Sequence, residues 1–299
     1  MSWPQRPVTL VLPLAPGGST DTLIRALAQH LTGVFGQSFV IDNRPGAGGT
    51  IAHGQIARAR PDGYTLLVST NSTYAIAPHL YQLAYDTETA FAPVTLIAST
   101  PQVLCVHKTV PVTDLAGLLA YARAHPGQLT FSSAGIGFTS HLAAELFMSM
   151  AGVSMLHVPY RGGGPAAQAL MAGEVQVNFA DTLTAQALVQ GGNVRALAVT
   201  GGEESRQFPG LPTLDASGMP GYRSATAYAL LAPAETPAPI LDALQQAVAA
   251  WLRIPERREW LLSVGFVPIG STAAEFHEAR RTESAMWGDI IRTRGITMP

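Results

Sequence analysis

The chain has 299 residues, enough for one large domain or two ordinary ones, and 47% of them are hydrophobic. Charged residues make up only 13%, about half of the roughly 25% found in typical soluble domains, and the formal net charge is −2. A nearly neutral chain lacks the basic surface that nucleic acid or an anionic lipid surface requires, so we expect no polyanionic partner.

Targeting signals and cysteine chemistry are sparse. No run approaches the roughly 18 apolar residues of a membrane span. Residues 1–14 lack the positive region, the long apolar region and the cleavage site of a signal peptide. Two interpretations stay open: a cytoplasmic protein, or a mature chain whose leader was replaced by a start Met. Cys105 is the single cysteine, which excludes an intramolecular disulfide, and its apolar neighbours predict a buried, inert thiol.

Strands, polar loops and helices alternate through the first hundred residues. Val8–Leu12 is a nearly continuous apolar strand, typical of a sheet covered on both faces. The helix that follows is opened by Ser19, Thr20 and Asp21. The apolar residues predicted to share one side of it are Leu23, Leu27, Leu31 and Val34. The next predicted segments are a strand at Phe39–Asp42, a glycine turn and helix within 43–59, a strand at Tyr64–Val68 and a polar loop at Ser69–Thr73.

The same pattern restarts after about residue 100. The predicted strands lie within 102–107, 129–133, 155–159, 175–181, 194–200 and 225–233. The predicted helices lie within 113–125, at the ends of the strand–loop–helix segments 129–152, 155–175 and 175–192, and within 238–253 and 272–292. The last is opened by a capping box of Thr272 and Glu275. Strands that alternate with helices indicate an α/β fold with mostly parallel sheets.

Four polar loops follow predicted strands, where the ligands of α/β folds gather. They are Pro13–Ser19, Ser69–Thr73, Ser132–Ser140 and Tyr160–Gly164. The first N–H groups of a helix have no intrahelical partner and carry partial positive charge, so a carboxylate can bind them without Arg or Lys. Each loop also has a structural interpretation, because any strand-to-helix connection favours Gly, Ser, Thr and Asp.

Catalytic signatures are weak. No G-x-S-x-G elbow and no phosphate-binding G-x-x-x-x-G-K-[ST] motif occurs, and "GAGGTI" has Ile51 where a dinucleotide fingerprint needs its third glycine. His141 and Glu145 stand one helical turn apart, but no second histidine shares their helix, as a zinc motif requires. We expect His141 in the first turn, lending a polar edge to its loop, and Glu145 facing solvent.

Two aspartates at the loops admit more than one role. Asp21 fits a first-turn acid favoured by the helix dipole, and it could also brace the glycine turn. Asp181 follows a predicted strand, where it either caps the next helix or contacts a donor or cationic group of a ligand.

Several motifs in one order match a known family across nearly the whole chain. They are "PLAPGGSTD", "IDNRPGAGGTIAHGQIARARPDGYTLL", "SSAGIGFTSHLAAELF", "HVPYRGGGPAAQALMAGEV", "VRALAVTGG", "FPGLPTLDASGMPGY" and "VGFVPIGST". With these motifs the sequence resembles the Bug proteins, the periplasmic solute receptors of tripartite tricarboxylate transporters.

The resemblance implies a two-lobed type 2 periplasmic-binding-protein fold whose lobes are joined by two crossover strands. We expect lobe 1 at 1–100 and 225–299 and lobe 2 at 101–224, with crossovers near Thr100 and Ala225. The resemblance further implies a small carboxylated solute, no catalytic residues, no cofactor, no metal, a monomer in the periplasm whose signal peptide was removed, and permease subunits as partners.

The resemblance also implies a set of ligand-binding residues. In lobe 1 these are Leu14, Gly18, Ser19, Asn71 and Ser72. In lobe 2 they are Ala134, Thr139 and Ser140, with Tyr160 as a pocket wall. Many relatives carry an acidic residue directly after the phenylalanine that matches Phe179, whereas here Ala180 follows and the acid comes one place later, at Asp181. Our hypothesis is that Asp181 selects a ligand amine or hydroxyl.

Two alternative functions belong to other classes. An enzyme on the same fold, such as a lyase or isomerase, needs a titratable pair, for which His141 with Asp181 is the candidate. A sensory receptor that signals to a histidine kinase would share every pocket residue.

Overall fold

The computed structural model describes residues 3–298, which form ten strands and nine α-helices. The strands are β1 (Val8–Leu12), β2 (Phe39–Asn43), β3 (Thr65–Thr70), β4 (Phe91–His107), β5 (Thr130–Ser133), β6 (Leu156–Pro159), β7 (Val177–Asp181), β8 (Val194–Val199), β9 (Ala225–Pro233) and β10 (Val267–Pro268). The helices are α1 (Ser19–Phe35), α2 (Thr50–Ile56), α3 (Leu115–Ala124), α4 (Thr139–Ala151), α5 (Gly163–Ala172), α6 (Thr182–Gln190), α7 (Ala238–Arg253), α8 (Pro255–Ser263) and α9 (Ala273–Arg294).

The chain forms two compact units. The first contains 1–99, 227–261 and 267–288, and the second contains 100–226, 262–266 and 289–299. The strands β4 and β9 each contribute residues to both units. Residues 262–266 and 289–299 differ from the predicted division, which assigned them to the first lobe.

The first unit is built on parallel strands with helices between them. β1 pairs in parallel with β2 and with β3, while β9 is antiparallel to β3, with Leu67 opposite Leu231. β10 is antiparallel to β4. The core fills both faces of β1, where Leu10, Val11 and Leu12 have no exposed surface. Continuous apolar strands suit this position because neither face meets water.

The second unit repeats this plan with its own sheet. β5 pairs in parallel with β6 and β7, and β4 is antiparallel to β7 and β8. Phe131 of β5 and Phe179 of β7 are completely buried. Cys105 of β4 is also buried, which raises the pKa of its thiol to about 12 and confirms the inert interpretation.

Three details of the sequence prediction are wrong. Val34 was placed on the buried side of α1, but it is 53% exposed, because it lies in the last turn before the left-handed Gly36 ends the helix. The third strand continues to Thr70, whose partner is Tyr228 on β9, so the predicted loop at Ser69 begins inside a strand. A short π-helix follows at Ser72–Ile76.

The remaining helices agree with the predicted signals. Leu23, Leu27 and Leu31 line the buried side of α1 as expected. Helix α8 was not predicted, because its nine residues carry only one buried apolar side chain, Leu261. Across residues 3–298, no helix combines the length and the apolar character needed to cross a bilayer.

Candidate functional site

Helix α1 begins at a glycine turn that offers amides to solvent. Gly17 has φ +92°, a conformation that favours glycine, and Gly18 occupies the N-cap position without any side-chain cap. The first helical bond runs from Thr22 N to Gly18 O, so the amides of Gly18, Ser19 and Thr20 lack a helical acceptor. Gly18 is exposed, and a Cβ built on it would meet nothing within 4 Å. Space for a ligand therefore exists beside these donors.

Asp21 braces this turn. Its Oδ2 accepts from the Gly17 amide at 3.2 Å and pairs with Arg25 Nε at 2.7 Å. Asn43 Nδ2 donates to Leu14 O at 3.0 Å and contacts Asp21 Oδ1 at 3.3 Å. Burial alone would raise the pKa of Asp21, but these hydrogen bonds outweigh burial and lower it. Both predicted roles of Asp21, the first-turn acid and the brace, are confirmed.

Asn71 is engaged by its own unit. Its Nδ2 donates to Glu283 Oε1 on α9 at 2.8 Å, and its Oδ1 accepts from the Ala227 amide at 3.0 Å. Ser72, the next predicted residue, is buried and begins the π-helix. Desolvation raises the pKa of Glu283 despite hydrogen bonds from Asn71 and Tyr74. The Asn71 side chain therefore orients this segment through Glu283, a residue that the sequence did not single out.

In the second unit, the segment 134–138 folds back on the start of α4. Ser140 Oγ accepts from the Ala134 amide at 3.1 Å, and His141 Nδ1 accepts from the Gly137 amide at 3.2 Å. The Ala134 amide therefore already has an acceptor inside the loop. The Ser140 hydroxyl, which accepts that bond through its oxygen, still has its own hydrogen available to donate. Phe138 occupies the N-cap position of α4, again without a side-chain cap.

Asp181 stands at the centre of a polar cluster. Thr226 Oγ1 donates to Asp181 Oδ1 at 3.1 Å and lies 2.8 Å from Thr139 Oγ1. The Gln102 amide contacts the same hydroxyl at 3.1 Å. Burial raises the pKa of Asp181 to about 6, although its side chain keeps partial exposure and the Thr226 bond opposes the shift.

The hydrogen bonds of Asp181 exclude one of the two roles left open for it. The residue occupies the N-cap position of α6, yet its side chain makes no capping hydrogen bond, so the capping interpretation is wrong. Contact with a ligand stays a prediction. Thr226 and Gln102 were missed by the sequence interpretation. Their signal was a polar residue inside an apolar strand, "ATAYALLAP" and "PQVLCVH" respectively.

Tyr160 packs on the core of the second unit. Its amide donates to Ser133 O at 3.0 Å. Burial raises the pKa of Tyr160, and the negative charge of Glu174, which accepts a hydrogen bond from the phenol, raises it further. The side chain is only partly exposed, and its role as a pocket wall stays a prediction.

Glu145 does not face solvent as predicted. Its side chain is 12% exposed, with Oε1 3.5 Å from His141 Nε2 and Oε2 2.8 Å from Arg294 Nε. The i,i+4 spacing places Glu145 on the buried side that His141 occupies, where Arg294 near the end of α9 meets it. His141 lies in the first turn of α4, as expected, and is buried.

Among residues 3–298, the candidate enzymatic pair of His141 and Asp181 is not joined by a hydrogen bond. The two ring nitrogens of His141 contact Gly137 and Glu145, and the Asp181 side chain contacts Thr226, so His141 and Asp181 share no partner among these bonds. Within residues 3–298, no group of three or more His, Cys, Asp or Glu side chains could hold a metal ion.

Known proteins resemble this chain over nearly its full length. A family model described as tripartite tricarboxylate transporter family receptor matches residues 23–296. Protein BugT of Bordetella pertussis is 31% identical over 299 residues, which cover 99% of this chain and 92% of BugT.

Two solved structures from Rhodopseudomonas palustris are similar throughout. Rpa4515 with adipate is 38% identical with a TM-score of 0.94, and the match covers 99% of both chains. MatC with bound malate is 33% identical with a TM-score of 0.88, covering 97% of this chain and all of MatC. The predicted α/β solute-binding fold class is confirmed by these matches.

Proposed function

The chain belongs to the tripartite tricarboxylate transporter receptor family, the Bug-type family that its motifs resemble, and from this premise we propose that it is an extracytoplasmic receptor for a small carboxylate. It binds its solute in the periplasm and delivers it to the permease subunits of a tripartite transporter. It holds the acid and does not transform it.

The observation that carries this proposal is the open start of α1. The amides of Gly18 and Ser19 lack a helical acceptor at the positive end of a 17-residue helix, and Gly18 is exposed with nothing within 4 Å of a Cβ built on it. A carboxylate accepts several such donors at once, and hydrogen bonds to a charged acceptor are about twice as strong as neutral ones. The adipate and malate of the two similar structures are acids of this class.

Residues of both units belong to the proposed contact set. In the first unit, Leu14, Gly18 and Ser19 supply the glycine turn, while Asn71 orients the segment that contains Ser72. In the second unit, the Ser140 hydroxyl and the start of α4 at Thr139 supply donors. Ala134 shapes the loop, since its amide is taken by Ser140.

Asp181 is the residue of the second unit that we propose selects among solutes. Its side chain accepts from the neutral Thr226, and no cationic side chain within residues 3–298 pairs with it. At neutral pH a second carboxylate beside Asp181 would be repelled, whereas an amine or hydroxyl would donate to it. We therefore expect a hydroxy or amino diacid to bind more tightly than an unsubstituted diacid.

Titration calorimetry against a panel of acids tests the proposal. The panel comprises malate, adipate, citrate, aspartate, glutamate and nicotinate at pH 7.5. We expect a dissociation constant of about 10 μM or below for at least one acid, and malate or aspartate ahead of adipate. No heat with any of the six would overturn the assignment to small carboxylates. An Asp181→Asn variant that keeps the same ranking would remove Asp181 from the selection.

A further inference from the structure

Two histidines stack beside the loop at 134–138 in the second unit. The rings of His141 on α4 and His157 on β6 lie 3.9 Å apart between centroids, with an interplanar angle of 8°. Phe131 of β5 continues the stack, 4.8 Å from the His157 ring. His141 is buried and His157 is partly exposed. The proposed carboxylate chemistry uses neither imidazole, so their arrangement requires its own explanation.

The hydrogen bonds of His141 assign its tautomer. The Gly137 amide donates to Nδ1 at 3.2 Å, so this nitrogen carries no proton. The proton is then on Nε2, which faces Glu145 Oε1 at 3.5 Å. Arg294 Nε donates to the other oxygen of Glu145 at 2.8 Å and fixes that carboxylate. The neighbours of the ring thus favour the tautomer that the Gly137 bond requires.

A second anchor holds the same loop. Ser133 Oγ accepts from the Gly135 amide at 3.1 Å and lies 2.6 Å from His157 Nε2. Gly135 and Gly137 have φ angles of +140° and +80°, which side chains rarely adopt. A Cβ on Gly135 would also lie 3.2 Å from the ring of Phe138. The loop shape therefore depends on two glycine amides, and each amide has a fixed acceptor.

We propose that His141 is a positioning residue of the carboxylate site, which holds the loop at 134–138 and the start of α4 only while its Nδ1 is unprotonated. This inference rests on the proposed function for the part that concerns affinity. If Nδ1 carried a proton, two N–H groups would face each other. The hydrogen bond from the Gly137 amide to His141 would then break. The loop would then lose the anchor next to Thr139 and Ser140.

The charged and titratable groups around the ring come from several elements. Glu145 faces His141 from its own helix, Arg294 reaches Glu145 from α9, His157 stacks from β6, and Tyr222 donates to Ala143 O of α4. Burial and then a charge on His141 lower the pKa of His157 to about 3. Burial raises the pKa of Glu145, but its bonds to His141 and Arg294 outweigh burial and lower it. The Glu145 carboxylate therefore stays charged beside the Nε2 side of the His141 ring.

Nuclear magnetic resonance tests the anchor without any ligand. In histidine-labelled protein, long-range ¹H–¹⁵N spectra should report the Nε2–H tautomer for the signal that His141→Asn removes. The Gly137 amide signal should move on acidification with the same midpoint as the His141 ring. An Nδ1–H tautomer, or a Gly137 amide that ignores the ring, would overturn the proposal.

Binding of malate and adipate between pH 8 and pH 5 tests the effect on affinity. His141→Ala should weaken binding about 10-fold at pH 8. The amide oxygen of His141→Asn can replace Nδ1 as the acceptor but cannot be protonated, so this variant should lose the acid-induced weakening that wild type shows. His125→Asn, a change outside the loop and the stack, should show the same dependence of affinity on pH as wild type. Because Asp181 titrates in all these proteins, only the difference between the curves is assigned to His141.

The two arms distinguish the ways in which the inference can fail. Binding by wild type with no difference between the pH curves of wild type and His141→Asn contradicts the positioning role. If neither acid binds to wild type, these two acids are wrong as solutes, and the resonance experiment by itself decides whether His141 holds the loop.

Discussion

Helix starts in this molecule are of two kinds. Helix α3 is closed by Asp114, whose Oδ1 accepts from the Gly117 amide at 2.7 Å, and α9 by the reciprocal bonds of Thr272 and Glu275. Helices α1 and α4 begin at Gly18 and Phe138, and neither residue supplies a capping side chain. A side-chain cap contributes about 1 kcal/mol.

The loops before the open helices are held in another way. Asp21 braces the turn before α1, and His141 anchors the loop before α4. Helix α2 is a third example, because its N-cap is Gly49, whose carbonyl accepts from His53 Nδ1 at 2.9 Å. The difference teaches that bracing from within the helix leaves the terminal amides without a side-chain acceptor, whereas a cap supplies one.

The largest expected effect is the loss of stability in acid that is caused by His53, the histidine that anchors α2. Burial lowers the pKa of His53 to about 4, against the ordinary 6.5, despite its bond to Gly49. The unfolded chain therefore binds more protons between pH 6.5 and pH 4, so this contribution is complete above 6.5 and is lost as the pH falls towards 4. The free energy of unfolding should fall by about 3 kcal/mol, since each pKa unit of difference between the folded and unfolded states corresponds to about 1.36 kcal/mol.

Urea unfolding at pH 7.5 and pH 4.5 measures this loss. The His53→Asn variant should be less stable than wild type at pH 7.5 but should lose less stability on acidification. Parallel pH dependences in the two proteins would contradict the assignment, and His125→Asn serves as the control histidine.

The open start of α1 should depend on its amides for binding. Ser19→Pro removes one donor at the first helical position, where proline is tolerated, and the extended Gly18 before it (φ −86°, ψ 178°) is compatible with a following proline. We expect affinity for the tightest acid of the panel to fall about 10-fold by calorimetry, since a hydrogen bond to a charged group contributes about 1.5 kcal/mol.

The matched change at a capped start is Ala273→Pro. Ala273 is the exposed first residue of α9, and its amide takes no part in the capping box. The Ala273→Pro variant should bind the same acid with the affinity of wild type. If both proline variants bind as wild type does, the α1 amides do not hold the ligand.

Removing the cap of α3 should affect stability alone. Asp114→Ala deletes the acceptor for the Gly117 amide and should lower the free energy of unfolding by about 1 kcal/mol. Ligand affinity should stay unchanged, and the exposed Asp242→Ala in α7 should alter neither quantity. A large loss of affinity in Asp114→Ala would show that capped starts also serve the site.

Installing a cap at α1 should have the smallest effect on stability. Gly18→Asn places an acceptor at the N-cap position, where the backbone is extended and a Cβ meets nothing within 4 Å. Stability should rise by a few tenths of a kcal/mol, on the order known for Gly against Asn caps. Affinity should fall several-fold, because the new side chain competes with the ligand for the same amides. Gly18→Ala controls for the added methyl group, and tighter binding by Gly18→Asn than by Gly18→Ala would contradict the competition.

Much of the fold could be predicted because its signals are local. The strand Val8–Leu12 and the cap at Asp114 each depend on a few neighbouring residues. The candidate site was predictable only in part. Gly18, Ser140 and Asp181 do lie at helix starts that follow strands, but Thr226 reaches Asp181 from 45 residues away and was missed.

Periodicity and turn chemistry in the sequence therefore determined the α/β class and the glycine turns, and the order of its motifs indicated the family. Only the tertiary structure decided which side chains are engaged. Asn71 meets Glu283 across 212 residues, and Glu145 meets Arg294 across 149. The physical reason is that a hydrogen-bond partner is chosen by the path of the whole chain, whereas a helix or a turn is chosen by the few residues within it.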